Sequence, residues 1–220
     1  MSNPEPHNNI KAFRPFKYSL IGRRKFKIVQ DLELIKPDFL TILYKRRTKR
    51  VHSTPSIDKI SKILYHACKI SEIDIDDSGL ILSKRTTPSA GSRHPIDIMI
   101  SLPKTERNFE LYSPLTHSIA SLDIGRKEID IFFDHLNQSL DTSNSCVLWF
   151  NIQVQKTESK YLNATSLYWK DLGALLYCIQ LLCTYYGLKS CPLGTLAIDQ
   201  FKNLFQSKNL ISGGGIIIGE

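Results

Sequence analysis

The clearest pattern in this chain is a series of apolar residues at helical spacing that begins after Pro37. A short helix is predicted there, because Asp38 is a favourable N-cap and the apolar positions that follow it share one face. A second helix is predicted from Ser56 to Cys68, where apolar residues recur every three or four positions. Both stripes indicate helices that pack against a core.

The middle of the chain is strand-like. Residues 96–102, 109–113 and 147–154 are short runs rich in Ile, Val and aromatic residues, and each is bounded by Pro, Asn or Ser. Each of these runs is predicted to form a strand. Between the last two, residues 128–140 (EIDIFFDHLNQSL) are amphipathic and predict another helix.

Residues 168–186 predict a helix that is apolar around most of its circumference, and Gly187 suits its C-terminus. Such a helix must be buried on nearly all sides, either in a large core or at a subunit interface. A domain of this size encloses few helices completely, so the segment favours a homodimer. The final residues 213–220 (GGGIIIGE) predict a last strand after a glycine turn. Helices mixed with mostly antiparallel strands indicate an α+β fold.

The size of the chain limits its domain organisation. It has 220 residues, 42% of them hydrophobic, which is enough for one domain with a substantial core. We expect a basic, proline-containing N-terminal arm at residues 1–37 and a single domain at residues 38–220. The sequence has no run of eighteen apolar residues and its N-terminus is polar, so we expect no membrane span, no signal peptide and a cytoplasmic protein.

The net charge of +8 is concentrated in part in two clusters, at residues 23–27 and 45–50. Such clusters attract nucleic acid, bind a phosphate-bearing ligand or form a solvated face. No nucleic-acid motif accompanies them, so we favour the last two interpretations and expect no nucleic-acid partner. The five cysteines are odd in number and lack CxxC spacing, which argues against a disulfide framework or a zinc site.

Two segments that could hold a ligand lie in the first half of the chain. Residues 45–50 (KRRTKR) follow a predicted helix. Guanidinium groups bind phosphate through paired hydrogen bonds, but positive charge at a helix C-terminus is also an ordinary structural feature. Residues 87–95 (TPSAGSRHP) place small residues between prolines. Such a loop lets a flat ligand approach the backbone, or it is a plain turn before a strand.

Two further segments lie in the second half. Residues 187–194 (GLKSCPLG) follow the apolar helix, where backbone N–H groups either face a ligand or belong to a simple helix-to-loop junction. Lys160 and Tyr161 lie in a polar stretch after a predicted strand. A lysine acts as a base only where burial or a nearby cation lowers its pKa from about 10.4, and most Lys-Tyr pairs are surface residues.

The order and spacing of these four segments resemble the nitroreductase superfamily. In that superfamily an R-R-S/T-x-R motif opens the domain, a P-S-x-G segment lies beside the flavin, and a D-x-G helix with a G-L-x-S-C-P-x-G loop completes the site. The resemblance covers residues 38–220. Within the superfamily, P-S-A-G followed by H-P, with a Lys-Tyr pair upstream of the D-x-G helix, is most similar to the azoline dehydrogenases.

The resemblance implies a nitroreductase-like α+β fold, a homodimer and FMN as the cofactor. It implies two groups of FMN contacts and a catalytic pair. The FMN phosphate and ring edge would be held by Arg46, Thr48 and Arg50, with Arg47 contributing. The isoalloxazine ring would be lined by Ser89, Ala90, Gly91 and Ser92, and its reactive nitrogen would receive backbone N–H groups from Leu193 and Gly194. The proton-removing pair would be Lys160 and Tyr161.

The function that the resemblance implies is oxidation of azoline rings in modified peptides, with hydride transfer to FMN and cyclodehydratases as partners. One alternative is an NAD(P)H-dependent nitro- or quinone reductase that uses the same FMN site. The sequence has no GxGxxG fingerprint to support it, although the family binds nicotinamide only transiently over the flavin. A second alternative, from another class, is a non-catalytic scaffold within a biosynthetic complex.

Overall fold

A computed structural model describes residues 3–7, 11–26, 37–50, 53–103 and 107–220 of the chain. Its strands are β1 (Glu5–Pro6), β2 (Leu20–Lys25), β3 (Ile70–Ile75), β4 (Ile81–Arg85), β5 (Ile96–Ser101), β6 (Glu110–Ser113), β7 (Ser118–Leu122), β8 (Cys146–Gln153), β9 (Tyr161–Leu162), β10 (Lys189–Pro192) and β11 (Leu210–Gly219). Its α-helices are α1 (Phe39–Lys45), α2 (Ile57–Cys68), α3 (Arg126–Asn137), α4 (Val154–Glu158), α5 (Thr165–Tyr185) and α6 (Ile198–Leu204).

A seven-stranded sheet forms the centre, in the order β10-β11-β8-β5-β6-β7-β2, and every pairing in it is antiparallel. Strand β8 lies between β11 and β5, in the interior of the sheet, and is buried along its whole length. Alternate residues point to opposite faces of a strand, so Leu148 and Phe150 enter one core while Val147 and Trp149 enter the other. The sheet is therefore covered on both sides.

Helices α2 and α5 pack on one face of the sheet, and α3 and α6 pack on the other. The α2 stripe includes Ile60, Ile63 and Leu64, which are fully buried. On the opposite face, Phe132 of α3 contacts Trp149 of β8 edge-to-face. This arrangement confirms the α+β class with a mostly antiparallel sheet flanked by helices.

The predicted elements with strong periodicity all form. Helix α1 begins after Asp38, whose carboxylate accepts from the Thr41 N–H at 3.1 Å, as expected of an N-cap. Helix α2 begins after Ser56, and the long apolar helix is α5. None of the helices in the described residues combines the length and apolarity needed to cross a bilayer.

Two small sheets lie outside the central one and position the candidate site. Strands β3 and β4 form a hairpin, and Arg85 at its end leads directly into the loop at residues 87–95. Strand β1 pairs with β9, so the N-terminal arm lies along the segment that carries Tyr161. The arm continues through Phe16 and Tyr18, which pack on the α3–α6 side, into β2 at the edge of the central sheet.

Candidate functional site

The P-S-A-G loop is fastened to helix α5 by Asp171. The Asp171 carboxylate accepts from the Ser89 hydroxyl at 2.6 Å and from the Ala90 N–H at 3.2 Å. Burial raises the pKa of Asp171, while these two hydrogen bonds oppose that shift. The Ser89 oxygen in turn accepts from the His94 N–H at 2.9 Å, which closes the loop on itself. The loop backbone is therefore fixed before any ligand binds.

Gly91 lies directly against the Lys-Tyr pair. It has a φ of +62°, and a methyl group added there would lie 2.9 Å from the Tyr161 hydroxyl and 3.1 Å from the Lys160 ammonium nitrogen. That nitrogen also lies 5.5 Å from the centre of the Tyr161 ring. The fold thus brings Lys160 and Tyr161, both half-buried, onto the loop at residues 89–92. We call these residues together with Asp171 the loop cluster.

A buried ion pair holds the backbone behind the loop cluster. The Arg93 guanidinium, which is fully buried, donates to the Asp76 carboxylate at 2.7 Å and to the Ser159 hydroxyl at 2.8 Å. It also donates to the Lys156 carbonyl. Arg93 therefore connects the β3–β4 turn with the segment between α4 and β9, and Ser159 immediately precedes Lys160.

The predicted phosphate ligands lie elsewhere, along strand β10. Thr48 forms a parallel bridge with Ser190, and the Lys49 N–H donates to the Ser190 carbonyl at 3.0 Å. Residues 46–50 are therefore adjacent to the segment at residues 187–194. We call these two segments together the basic cluster. Of its side chains, Thr48 and Arg50 are exposed and Arg46 is half-buried.

Two arginines of the basic cluster already have partners in the protein. Arg46 donates to the Gln180 side chain on α5 at 3.3 Å. Arg47 donates to the Tyr44 carbonyl at 2.8 Å and to the Arg46 carbonyl at 2.7 Å, so it satisfies carbonyl groups at the end of α1. Burial raises the pKa of the Cys191 thiol, and nearby Arg50 opposes that shift.

The prediction for the Leu193 N–H needs correction. That group donates to the Gly215 carbonyl at 2.9 Å, because β10 and β11 continue their pairing one residue beyond Pro192. This donor therefore serves the sheet and does not face a ligand. Gly194, the next residue, is exposed, and a methyl group added to it would meet no atom within 4 Å. The backbone at Gly194 thus borders open space.

The two clusters contact opposite sides of helix α5. Asp171 anchors the loop cluster and Gln180 contacts the basic cluster, so the two contacts are nine residues apart along α5. In an α-helix this separation corresponds to about 13–14 Å along the axis and about half a turn around it. Within one protomer, a flat ligand that lies against the loop cluster is therefore separated from the basic cluster by helix α5.

The sequence patterns assign no role to the supporting residues Asp171 and Arg93, although Asp171 is the aspartate of the D-x-G motif. The available signals are weak: Asp171 is the one carboxylate inside the apolar helix α5, and Arg93 is a cation between small residues and Pro95. Buried charges are uncommon unless they are paired, so each suggests an unseen partner. The partners, Ser89 and Asp76, cannot be identified without the fold.

No protein-family model matches the sequence, and no curated protein matches it either. Solved structures do resemble it. A protein from Ralstonia eutropha JMP134 assigned to the nitroreductases has a TM-score of 0.64 at 17% identity, and the match covers 100% of this chain and 98% of that one. A chain of the E. coli microcin synthetase McbBCD complex with truncated pro-MccB17 bound has a TM-score of 0.55 at 15% identity, covering 97% and 78%.

A third similar structure, from Desulfovibrio desulfuricans, is assigned to the nitroreductases and was crystallised with FMN. It has a TM-score of 0.53 at 13% identity, and the match covers 84% of this chain and 86% of that one. At such identities the likeness establishes the fold. The chain therefore has a nitroreductase-like α+β fold, as the resemblance in the sequence predicts.

Proposed function

We propose that this protein is an FMN-dependent oxidoreductase that dehydrogenates azoline rings in modified peptides. The observation that carries the proposal is the contact of Lys160 and Tyr161 with Gly91. These residues are about seventy positions apart in the chain, and the fold brings them together. A pair of proton-transfer groups there suits a reaction that removes a proton from the substrate.

The residues of the two clusters fit FMN. Arg46, Thr48 and Arg50 offer cationic and neutral donors for a phosphate, and the open space at Gly194 gives a flat ring access to the backbone. The complementary surface for the ring is the loop at residues 89–92. When bound, FMN would supply the acceptor for a hydride, with dioxygen or another compound as the final electron acceptor.

The protein's own part in the reaction is proton removal. An azoline ring becomes an azole when it loses one hydride and one proton from neighbouring ring atoms, and a new double bond forms between them. We assign the proton to Lys160 or Tyr161. A group positioned in this way contributes about 10²–10⁴-fold to a rate. The backbone hydrogen bonds that hold residues 159–161, together with Arg93, keep the pair in place.

The proposed active unit is a homodimer. Because the two clusters of one protomer lie on opposite sides of α5, one FMN would contact the basic cluster of one protomer and the loop cluster of its partner. Helix α1, beside the basic cluster, exposes apolar side chains at Phe39, Leu40 and Tyr44, which such an interface would cover.

The second candidate function is NAD(P)H-dependent reduction of nitro compounds or quinones. It is favoured by the structural likeness to proteins assigned to the nitroreductases. It uses the same FMN contacts but gives Lys160 and Tyr161 no role in proton removal. The cyclodehydratase partners of the azoline reaction belong to the first proposal and not to this one.

Replacing Lys160 with Ala separates the two functions. Azoline oxidation should fall by about two or more orders of magnitude, since a general base is lost, while NADH-dependent flavin reduction should be largely retained. FMN content, dimerisation and Tm should stay close to those of the wild type. Lys170→Ala, which removes an exposed lysine from α5, is the matched control and should leave all of these quantities unchanged.

Unchanged azoline turnover in the Lys160→Ala variant would exclude the catalytic role of Lys160. Turnover of NADH and a quinone by the wild type, without azoline oxidation, would favour the reductase. A purified protein that is colourless and cannot be reconstituted with FMN would favour the non-catalytic scaffold.

A further inference from the structure

A cavity of about 290 Å³ adjoins the loop cluster. Pro88 from the loop and Asp171 from α5 form part of its wall, and the turn between β6 and β7 around Pro114 forms another part. Sites for whole cofactors and drug-sized ligands occupy about 300–1,000 Å³. This cavity therefore suits a small molecule or one terminal group of a larger substrate.

The charges along the cavity wall do not balance. Three cations line it, together with two carboxylates, Asp97 and Asp171. Lys156 pairs with Asp97 at 3.2 Å, and Asp171 accepts from the Ser89 hydroxyl at 2.6 Å. The two remaining cations are Arg85 and the exposed Arg23. The cavity therefore has an excess of positive charge.

Arg85 presents open hydrogen-bond donors to this cavity. Its Nε donates to the Ser83 hydroxyl at 2.8 Å, whereas its two terminal nitrogens have no hydrogen-bond acceptor or ion-pair partner within the described part of the chain. Burial lowers the pKa of Arg85. The nearby Asp97 charge opposes that shift, and the two terminal nitrogens remain available for paired hydrogen bonds to an anion that enters the cavity.

His94 adds no charge of its own to the cavity. Its Nε2 lies 2.8 Å from the Ser83 carbonyl, and burial together with the Arg85 charge lowers its pKa to about 4. It is therefore neutral at physiological pH. The rest of the wall includes the apolar side chains of Ile98, Leu111 and Leu175. The cavity thus combines a guanidinium with apolar surface.

We propose that this cavity binds a carboxylate attached to a small apolar body, with Arg85 forming paired hydrogen bonds to the carboxylate. Arg23 adds positive charge at the exposed edge. That the carboxylate belongs to the substrate rests on the proposed function, because the cavity is lined by Pro88, next to the proposed ring surface at residues 89–92, and by Asp171, which anchors that surface. The binding of the carboxylate itself does not depend on that function.

Benzoate is a suitable probe, and benzamide is its neutral isostere. Isothermal titration of the FMN-loaded protein should show binding of benzoate and binding of benzamide weaker by about tenfold or more, since charge-assisted hydrogen bonds are lost. Arg85→Gln should weaken the affinity for benzoate by a similar factor. Arg85→Lys should retain only part of the wild-type affinity, because an ammonium cannot form the paired hydrogen bonds of a guanidinium. Arg126→Gln, which removes an exposed cation on α3, should leave benzoate binding unchanged.

Leu115→Glu provides a test that leaves Arg85 in place. Leu115 lines the cavity and is 51% exposed, so a carboxylate there is tolerated by the fold and should compete with benzoate for the guanidinium. Equal binding of benzamide and benzoate, or unchanged benzoate binding by Arg85→Gln, would overturn the proposal.

A guanidinium also binds phosphate, so the cavity could hold the FMN phosphate instead of a carboxylate. The FMN content of each variant distinguishes these two ligands. If Arg85→Gln loses FMN in parallel with benzoate, and inorganic phosphate displaces benzoate, the cavity is a phosphate site and the proposal is wrong. If FMN content is unchanged and benzoate is lost, the proposal holds. Absence of FMN from the wild type would count against the proposed function alone, because benzoate binding can still be titrated.

Discussion

At Gly91 the loop lies directly against the Lys-Tyr pair. Gly91→Ala should destabilise the protein, because a residue with a side chain at positive φ costs about 1–2 kcal/mol and the new methyl would displace the Tyr161 hydroxyl. Azoline oxidation should fall as well, since Tyr161 and Lys160 must move. Urea unfolding and steady-state rates measure the two effects.

Gly79 is a matched control for Gly91. It has a φ of +78° in the β3–β4 turn, but a methyl group there would meet nothing within 4 Å. Gly79→Ala should therefore show the backbone cost without loss of activity. Equal loss of activity in the two variants would mean that the contact with Tyr161 is unimportant.

The basic cluster gives a prediction about the cofactor. Arg46→Ala combined with Arg50→Ala should weaken FMN binding by about 10²–10⁴-fold, since each of the two charge-assisted hydrogen bonds is worth about 1.5–3 kcal/mol. The protein should release FMN rather than FAD on denaturation, and flavin per protomer measures the loss. Arg126→Ala should retain the flavin. Full retention in the double variant would place the phosphate elsewhere.

Part of the candidate site can be predicted from the sequence at the level of single residues. Arg46, Ser89 and Lys160 follow from motif order. The hydrogen bond from Ser89 to Asp171 cannot be predicted from motif order, because it joins residues more than eighty positions apart. The Leu193 N–H is wrongly predicted for a similar reason, since its acceptor, Gly215, lies in another strand. A local sequence pattern identifies potential hydrogen-bond donors, but it does not identify the acceptors that bind them in the folded protein.

At the scale of elements, the Asp76–Arg93 pair connects the β3–β4 hairpin to the segment before Lys160. Asp76→Asn should cost about 3–5 kcal/mol, because it leaves the buried Arg93 guanidinium without its counter-ion. Asp199→Asn is the control, since the Asp199–Lys202 pair is exposed and such pairs are worth about 0–1 kcal/mol. Urea unfolding at pH 7 measures both.

The pH dependence of the same pair has a definite sign. Burial acts to raise the pKa of Asp76, but hydrogen bonds from Ser78, Arg93 and the Leu80 N–H outweigh it, so the pKa is lowered. Its stabilising contribution is therefore present above about pH 4, the unfolded value, and is lost as the pH falls through the lower folded value. The difference between wild type and Asp76→Asn should shrink in that acidic range. A constant difference would contradict this assignment.

Elements with a buried stripe can be predicted from the sequence, and those without one cannot. Helix α2 and strand β8 follow from periodicity, because burial selects their apolar positions. Strand β2 is exposed along its length and is held by backbone pairing with β7, so its composition carries little signal. The β3–β4 hairpin exposes Ile73 and Ile75 to solvent, which removes the usual relation between apolar residues and the core.

At the scale of the whole molecule, the prediction is an obligate homodimer that buries more than about 2,000 Å² in total. Phe39→Glu together with Tyr44→Glu should convert the dimer to a monomer and release FMN, because α1 exposes these apolar side chains beside the basic cluster. Sedimentation at micromolar concentration, with flavin absorbance followed, measures both outcomes.

Ile73→Glu is the control for the interface. Ile73 is 59% exposed on β3, close to the 64% of Phe39, but it lies on the hairpin rather than on α1. The variant should remain dimeric and retain FMN. A wild-type monomer with bound flavin would contradict the arrangement in which two protomers share each site.

The separation of nine positions between Asp171 and Gln180 on α5 also limits how this sequence can change over time. Substitutions between these positions leave the relation of the two clusters intact. A single inserted or deleted residue would rotate one cluster by about 100° around the helix axis and shift it by about 1.5 Å. Related sequences should therefore differ freely in composition along this stretch but align across it without gaps.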